Sequence, residues 1–207
     1  MTLILWLDYI AVFIFGLTGA LAASRAQLDI VGFLFLACLT AVGGGTLRDV
    51  ILNRDAVFWV SDPGMILSAC LAALLVFFTA HLFESRLRVL EWCDAAALAV
   101  AVPAGVGVAM GLDQTPAIIL IMGVATGTFG GLMRDVVCNE VPLVLKKGEL
   151  YATAALIGAL VAVILDALGA SAFVALLACG CTAFVLRAGS LVFGWCLPVY
   201  KSRPKRQ

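Results

Sequence analysis

The feature that most restricts the fold of this chain is a series of seven apolar stretches that fill nearly its whole length. They cover about residues 4–23, 30–52, 65–83, 93–111, 117–138, 150–168 and 170–197. A helix needs about 20 apolar residues to cross a hydrocarbon core, because each residue adds only about 1.5 Å. Only 13% of the residues are charged, against about 25% in soluble domains. The sequence therefore predicts an all-α membrane protein with seven transmembrane helices.

The chain also contains an internal repeat, with an offset of 86 residues as from Arg48 to Arg134. Residues of the second stretch that recur in the fifth are Thr40, Gly44, Gly45, Arg48, Asp49, Val50 and Asn53, which correspond to Thr126, Gly130, Gly131, Arg134, Asp135, Val136 and Asn139. Each copy contains three spans. Because three is an odd number, the second copy must enter the membrane from the opposite face. The sequence predicts two inverted three-helix repeats at 1–84 and 85–169, a seventh transmembrane helix at 170–197 and a basic cytoplasmic tail at 198–207.

The basic residues are distributed unevenly between the two sides of this arrangement. Ten of them fall on one set of alternate connections and the tail, whereas the other set contains only Arg48 and Arg54. Cytoplasmic connections carry the excess of lysine and arginine, so we expect the N-terminus outside and the C-terminus in the cytoplasm. The formal net charge is +0, which leaves no global field that would attract nucleic acid. The expected partners are membrane lipids, not nucleic acid.

Glycines are concentrated in the second and fifth stretches, at Gly43, Gly44, Gly45, Gly127, Gly130 and Gly131. A glycine inside a helix costs about 1 kcal/mol relative to alanine and leaves the backbone bare. One interpretation is close helix packing, which small residues at four-residue spacing from Gly123 to Gly131 favour. The other is a kink that releases carbonyl groups toward a wet cavity, where they can bind cations. The sequence leaves both interpretations open, and they are compatible.

Each glycine-rich stretch is followed by an Arg-Asp pair, Arg48-Asp49 or Arg134-Asp135. A further turn of apolar residues follows each pair, so the charges lie about one turn inside the span. A central membrane charge costs from about 2.5 kcal/mol upward, and such residues usually face a bundle interior or a pathway. Adjacent helical residues diverge by about 100°, so we expect each charge to bond a residue of another helix, not its neighbour in the pair. Both a pathway role and structural ion pairing remain open.

Asp8, Asp94 and Arg187 also lie within apolar stretches. Asp8 and Asp94 occupy equivalent positions near the starts of matching spans. They are possible charge partners of the arginines, although a carboxylate also suits a helix N-terminus. Arg187 lies within the last span, where a long side chain can reach the headgroup region. Signatures of zinc proteases, serine hydrolases and phosphate-binding loops are absent from the sequence, which has a single histidine. We therefore expect no enzyme activity and no cofactor.

The segments GGGTLRDV in the second stretch and GGLMRDVV in the fifth resemble bacterial members of the trimeric intracellular cation (TRIC) channel family. The same sequence pattern has also been labelled a glycine-transporter domain. The resemblance covers about residues 4–197. It implies a homotrimer in the bacterial inner (plasma) membrane, with a pore in each subunit that passes monovalent cations such as potassium.

By the same resemblance, the pore is kinked at the glycines of helices two and five. The first kink would contain Gly43, Gly44, Gly45, Arg48 and Asp49, and the second Gly127, Gly130, Gly131, Arg134 and Asp135. Phe129 stands in the second motif where Gly43 stands in the first, so we expect the second break to be less sharp.

These observations together predict a passive channel for monovalent cations, with Thr46 and Thr126 among the lining residues. Arg48 and Arg134 have the same charge sign as the cargo. Either nearby aspartates, Asp49, Asp94 or Asp135, neutralise them, or they form a voltage-driven gate, at about 2.3 kcal/mol per charge per 100 mV. Two alternatives remain: a secondary transporter of a small zwitterion such as glycine, and a membrane assembly subunit that transports nothing.

Overall fold

The computed structural model describes residues 2–82, 85–146 and 148–198, and for residue 2 it describes the backbone only. The described chain forms helices α1 (Thr2–Arg25), α2 (Ile30–Ile51), α3 (Phe58–Ser61), α4 (Gly64–Thr79), α5 (Arg86–Gly111), α6 (Pro116–Val137), α7 (Ala152–Ala167) and α8 (Ala172–Phe193). Short 3-10 turns follow α4 at Ala80–Leu82 and precede α7 at Leu143–Leu145. The predicted basic tail, apart from Pro198, lies outside the described residues.

Six of these helices are long and apolar enough to cross a membrane: α1, α2, α4 with its 3-10 turn, α5, α6 and α8. Helix α7 is also apolar but has only 16 residues, which corresponds to about 24 Å. Large apolar side chains such as Phe78 and Phe193 are exposed on the outside of the bundle, as expected of a surface that faces lipid. The chain is an all-helical integral membrane protein.

Two helix boundaries and one connection differ from the predicted stretches. Helix α5 begins at Arg86, before the apolar run, because the Ser85 hydroxyl caps it by accepting from the Arg88 backbone N–H at 3.4 Å. Helix α8 ends at Phe193 because Gly194 adopts a left-handed conformation, with φ +68°. The connection after α2 contains the short helix α3, which hydrophobic periodicity did not predict.

The two motif-bearing helices end with the same backbone structure. Asn53 and Asn139 have positive φ values, +49° and +55°, one residue after the C-caps of α2 and α6. In both, the next N–H returns to an aspartate carbonyl: Arg54 to Asp49 at 3.0 Å, and Glu140 to Asp135 at 2.9 Å. This is the 6→1 hydrogen bond of a Schellman turn. The turn leads the chain directly back across each Arg-Asp pair.

Helix α5 lies at the centre of the bundle, because 72% of its most apolar 18-residue segment is buried. It packs against α1, α6 and α8, while α1 also contacts α2 and α4. Helix α2 packs against α6, so the two motif-bearing helices meet each other directly. The bundle therefore places the two glycine-rich segments face to face.

Candidate functional site

Helices α2 and α6 cross at two equivalent glycines. A Cβ atom placed on Gly44 would collide with the backbone carbonyl of Thr126, lying 3.0 Å from its carbon and closer to its oxygen. A Cβ atom on Gly130 would collide in the same way with the carbonyl of Thr40. Thr40 and Thr126 are themselves equivalent in the repeat, so the contact is reciprocal. Only glycine permits this approach of two backbones.

Both helices are α-helical without interruption through their glycines. A continuous helix can still bend, so the kinks, sharper in the first copy than in the second, stay a prediction. The bare backbone is used for close contact with neighbours. Besides the crossing, the neighbours are the Met133 sulfur at Gly43, the Phe58 ring at Gly45, Val102 at Gly127 and the Tyr151 hydroxyl at Gly131. The structure thus shows the packing interpretation of these glycines.

The first repeat contains a charge cluster formed by the buried Asp8, Arg48 and Asp49 with the exposed Arg54, here called the first cluster. Arg48 has no exposed surface. Its Nε donates to Asp49 Oδ1 at 2.7 Å, and Nη1 and Nη2 donate to the two oxygens of Asp8 at 2.9 and 3.4 Å. Asp49 also accepts from Arg54 Nη1 at 3.2 Å and from the Phe58 N–H at 2.8 Å. Two arginines and two carboxylates make the first cluster formally neutral.

The second repeat reproduces this geometry with Asp94, Arg134 and Asp135, here called the second cluster. Arg134 Nε donates to Asp135 Oδ1 at 2.8 Å, and its Nη atoms donate to Asp94 at 2.8 and 3.0 Å. Asp135 Oδ2 accepts from the Leu143 N–H at 2.8 Å. Glu140 stands where the first repeat has Arg54, and it pairs with Arg25 at 3.1 Å instead. One arginine and two carboxylates give the second cluster a formal charge of −1.

The expectation that neighbours in an Arg-Asp pair do not bond each other is wrong. The Cβ atoms of adjacent helical residues do point in different directions. The arginine side chain is long enough to fold back, however, so that Nε reaches the next carboxylate. The other partners, Asp8 on α1 and Asp94 on α5, lie in the same repeat as their arginine. Both are beyond the first turn of their helices, so neither caps a helix N-terminus.

The two threonines occupy different environments. Thr46 is half-buried, donates to the Val42 carbonyl at 2.7 Å and accepts from Trp59 Nε1 at 2.9 Å. Thr126 is buried, and its hydroxyl lacks a hydrogen-bond partner within the described part of the chain. The free hydroxyl of Thr126 faces α5, since a Cβ atom built on Gly105 would be 2.5 Å from Oγ1, whereas the backbone of Thr126 faces α2.

Arg187 does not reach the headgroup region as the sequence suggested. Its side chain is completely buried, with Nη1 2.8 Å from Glu149 Oε2 and the guanidinium carbon 5.2 Å from the centroid of the Tyr151 ring. Sequence reasoning missed Glu149 and Tyr151 because it examined the residues that the two repeats share. The useful signal was the opposite one, a carboxylate at position 149 where the first repeat has Pro63.

A cavity of about 380 Å³ adjoins the first cluster. Its lining includes the polar residues Asp8, Arg54, Ser61 and Asp62, together with Gly107 of α5. Two carboxylates and an arginine thus line a cavity that reaches Asp8 of the first cluster. The cavity is a candidate entrance to the first cluster.

Comparison with known proteins supports these structural similarities between the halves. A family model described as "Glycine transporter" matches the chain twice, at residues 5–81 and 91–167, so one model accounts for each repeat. A crystal structure of the TRIC trimeric intracellular cation channel orthologue from Rhodobacter sphaeroides is 45% identical, with a TM-score of 0.90 over 94% of this chain and 100% of that one. The chain belongs to the TRIC family.

Other relatives of this TRIC protein are bacterial or are described as channels. The UPF0126 inner membrane protein YadS of Escherichia coli is 40% identical over 163 residues, 77% of each chain. A structure from work on the basis of conductance through TRIC cation channels is 30% identical, with a TM-score of 0.85 over 96% of this chain and 97% of that one. TRIC proteins are channels and not enzymes, which confirms the prediction that this chain is not an enzyme.

Proposed function

We propose that this TRIC protein is a passive channel for monovalent cations, including potassium, and that the ion pathway runs between α2 and α6 within each subunit of a homotrimer. The observation that carries the proposal is the pairing of both buried arginines with two carboxylates each. This pairing removes the main physical objection to cation passage beside Arg48 and Arg134.

The repulsion between an arginine and a passing cation follows from Coulomb's law. An uncompensated arginine would repel a cation 8 Å away by about 2 kcal/mol at an effective dielectric constant of 20. The carboxylates that contact Arg48 and Arg134 lie within 3.4 Å of the guanidinium nitrogens, so they cancel this repulsion. The second cluster, with its formal charge of −1, would attract a cation and repel an anion. The charge balance therefore supports cation selectivity.

Oxygen atoms suited to a dehydrated cation lie along the proposed route. The carbonyls of Thr40 and Thr126 face the bare glycines at the crossing. The Thr126 hydroxyl, buried without a hydrogen-bond partner within the described residues, lies beside the crossing on the side of Gly105 of α5. Carbonyl and hydroxyl oxygens replace the hydration shell of a monovalent cation in selective pores. Because the two backbones touch at the crossing, conduction requires α2 and α6 to separate there. The arrangement corresponds to a closed channel.

The proposal includes a topology. It counts α7 as a transmembrane helix, the sixth in chain order, so that α8 is the seventh, and it takes the two three-helix repeats as inverted copies. The excess of basic residues on one side places the N-terminus outside and the C-terminus in the cytoplasm of a bacterial inner membrane. In this proposal lipids surround the trimer, the permeant cations are the only ligands, and no cofactor takes part.

A secondary transporter of a small zwitterion such as glycine is the second candidate, since the matching family model is described as a glycine transporter. Such a substrate would need a free arginine to bind its carboxylate. The guanidinium groups of Arg48 and Arg134 already donate to aspartates from Nε and from both Nη atoms. Neither of these two arginines is free to bind such a carboxylate, which supports the channel.

The test is single-channel recording from the purified protein in planar bilayers with potassium chloride. We expect unitary currents that reverse near the potassium equilibrium potential. Arg54→Gln leaves the first cluster with a charge of −1, and we expect it to raise the unitary conductance about two- to threefold at low salt and less at high salt. Arg88→Gln, which removes an exposed arginine on α5 outside both clusters, serves as the matched control.

Two results would refute the channel. Saturable glycine uptake into proteoliposomes without unitary currents would identify a transporter. Absence of both currents and uptake, with the protein correctly assembled, would indicate a membrane assembly subunit. An Arg54→Gln variant with unchanged conductance at low salt would place the pathway away from the first cluster.

A further inference from the structure

Different contacts, here called the fastening, hold in place the segment that precedes the third helix in each repeat. In the first repeat, the fastening consists of hydrogen bonds from residues of the same repeat. The Tyr9 hydroxyl of α1 donates to Asp62 Oδ2 at 2.7 Å, and the Gly64 N–H donates to Asp62 Oδ1 at 3.1 Å. The equivalent positions in the second repeat are Ala95 and Gly148. Neither has a side chain that could make these hydrogen bonds, so the second repeat needs another fastening.

Helix α8, which lies outside the repeat, supplies that fastening. Its Ser190 hydroxyl accepts from the Leu150 N–H at 3.2 Å, and Arg187 forms the ion pair with Glu149. After α8 the chain turns back, and the Leu197 N–H donates to the Gly148 carbonyl at 2.9 Å. Three consecutive residues, 148–150, are thus held by α8 and its extension.

Tyr151 connects this fastening to the second cluster. The Arg187 guanidinium lies over its ring, and its hydroxyl lies against α6 at Gly131. A Cβ atom built on Gly131 would be 3.2 Å from that hydroxyl and 3.7 Å from Nη2 of Arg134. Tyr151 therefore covers the buried arginine of the second cluster. The first repeat has the buried Met65 at the equivalent position, and there Phe58 lies over Arg48 instead.

We propose that α8 controls the second half of the ion pathway, and that Arg187 is the residue that positions Tyr151 against Arg134. The inference rests on the proposed function and deepens it, because it assigns a role to the helix that the repeat lacks. The arrangement of Arg187 and Tyr151, here called the lock, is held by one ion pair, between Arg187 and Glu149, and by one ring contact, between Arg187 and Tyr151. All three guanidinium nitrogens of Arg187, Glu149 Oε2 and the Tyr151 hydroxyl lack hydrogen-bond geometry to any partner within the described residues, so the 2.8 Å ion pair is a charge contact and few bonds must break for it to open.

The test uses paired substitutions in the full-length protein. Arg187→Met removes the charge and keeps the length of the side chain, whereas Arg187→Lys keeps the charge. Tyr151→Leu removes the ring, whereas Tyr151→Phe removes only the hydroxyl without a partner. Tyr9→Phe is the matched control, because it loosens the corresponding segment in the first repeat.

The first readout is hydrogen exchange measured by mass spectrometry, which requires no ion current. We expect Arg187→Met and Tyr151→Leu to accelerate exchange about tenfold in the segment 141–146, which contains the Leu143 N–H bonded to Asp135, and to leave 55–62 unchanged. Tyr9→Phe should have the reverse pattern. Arg187→Lys and Tyr151→Phe should resemble the wild-type protein.

The second readout separates gating from permeation. In single-channel records we expect Arg187→Met to change the open probability at least threefold, while the unitary conductance stays close to the wild-type value. Equal exchange in both segments, or no change in either, would overturn the inference even if currents are normal. Wild-type protein without currents would refute the proposed function alone, since hydrogen exchange still tests the lock. If Arg187→Met does not yield folded protein, Tyr151→Leu with Tyr151→Phe gives the same comparison.

Discussion

The contact between α2 and α6 predicts very different effects for alanine at two adjacent glycines. At Gly44 the new methyl group would meet the backbone of Thr126, with its carbonyl carbon at 3.0 Å and its Cα at 3.3 Å. At Gly43 the nearest atom is the Met133 sulfur at 2.9 Å, the far part of a flexible side chain. A side chain can turn away, whereas a helix backbone can move only with the whole helix.

The magnitude follows from the distances. To relieve the contact at Gly44, the helices must separate by roughly 1 Å, which forfeits about a quarter to a half of the dispersion attraction across the crossing. Overpacking of this kind costs about 1–3 kcal/mol, offset by up to about 1 kcal/mol from the higher helix propensity of alanine. For a chain of this size, 1 kcal/mol corresponds to about 2–4 °C. Gly44→Ala should therefore lower the apparent Tm by about 5 °C, and Gly43→Ala should change it little or raise it.

The assay is thermal unfolding of the purified protein in detergent, followed by tryptophan fluorescence at one fixed heating rate. Gly130→Ala should behave like Gly44→Ala, because its methyl group would meet the Thr40 carbonyl in the equivalent contact. Gly111→Ala, with no atom within 4 Å of the added carbon, is a second control. If Gly43→Ala and Gly44→Ala unfold at the same temperature, α2 and α6 do not cross at these residues and the packing argument fails.

Two further predictions concern the first repeat. Arg48→Met should destabilise the protein by about 3–5 kcal/mol, because Asp8 then remains buried without a cation and Asp49 keeps only Arg54; adding Asp8→Asn should recover part of the loss, and a single variant as stable as the wild type in thermal unfolding would contradict this. The Sγ atoms of Cys38 and Cys70 are 3.8 Å apart, so oxygen with a membrane-permeant copper complex should join them, with a loss of two hydrogens detected in the linked peptides. Exposed Cys181 should remain unlinked within the chain, and failure to link Cys38 to Cys70 would mean that α2 and α4 are not packed in this register.

Much of the architecture could be predicted because the bilayer imposes strict rules on a sequence. Apolar length and low charge predicted an all-helical membrane protein, and the motif with Arg-Asp pairs predicted the family. These conclusions need no tertiary contacts, since hydrocarbon excludes unpaired backbone groups from any chain. The positions of Arg48 and Arg134 inside the spans were equally visible, because a further apolar turn follows each.

Tertiary structure decided which groups meet. The sequence could not show that Arg48 bonds both its neighbour Asp49 and the distant Asp8, because the tip of an arginine can reach atoms in many directions from its Cβ. It also left the glycines ambiguous, and only the approach of the Thr126 carbonyl to Gly44 shows that the bare backbone is used for contact between helices. The role of Arg187 depends on the Gly148–Tyr151 segment, which differs from its repeat counterpart. The repeat in the sequence thus determined what the two halves share, whereas the contacts of α8 determined how they differ, since the sequence pattern does not specify contacts between distant segments.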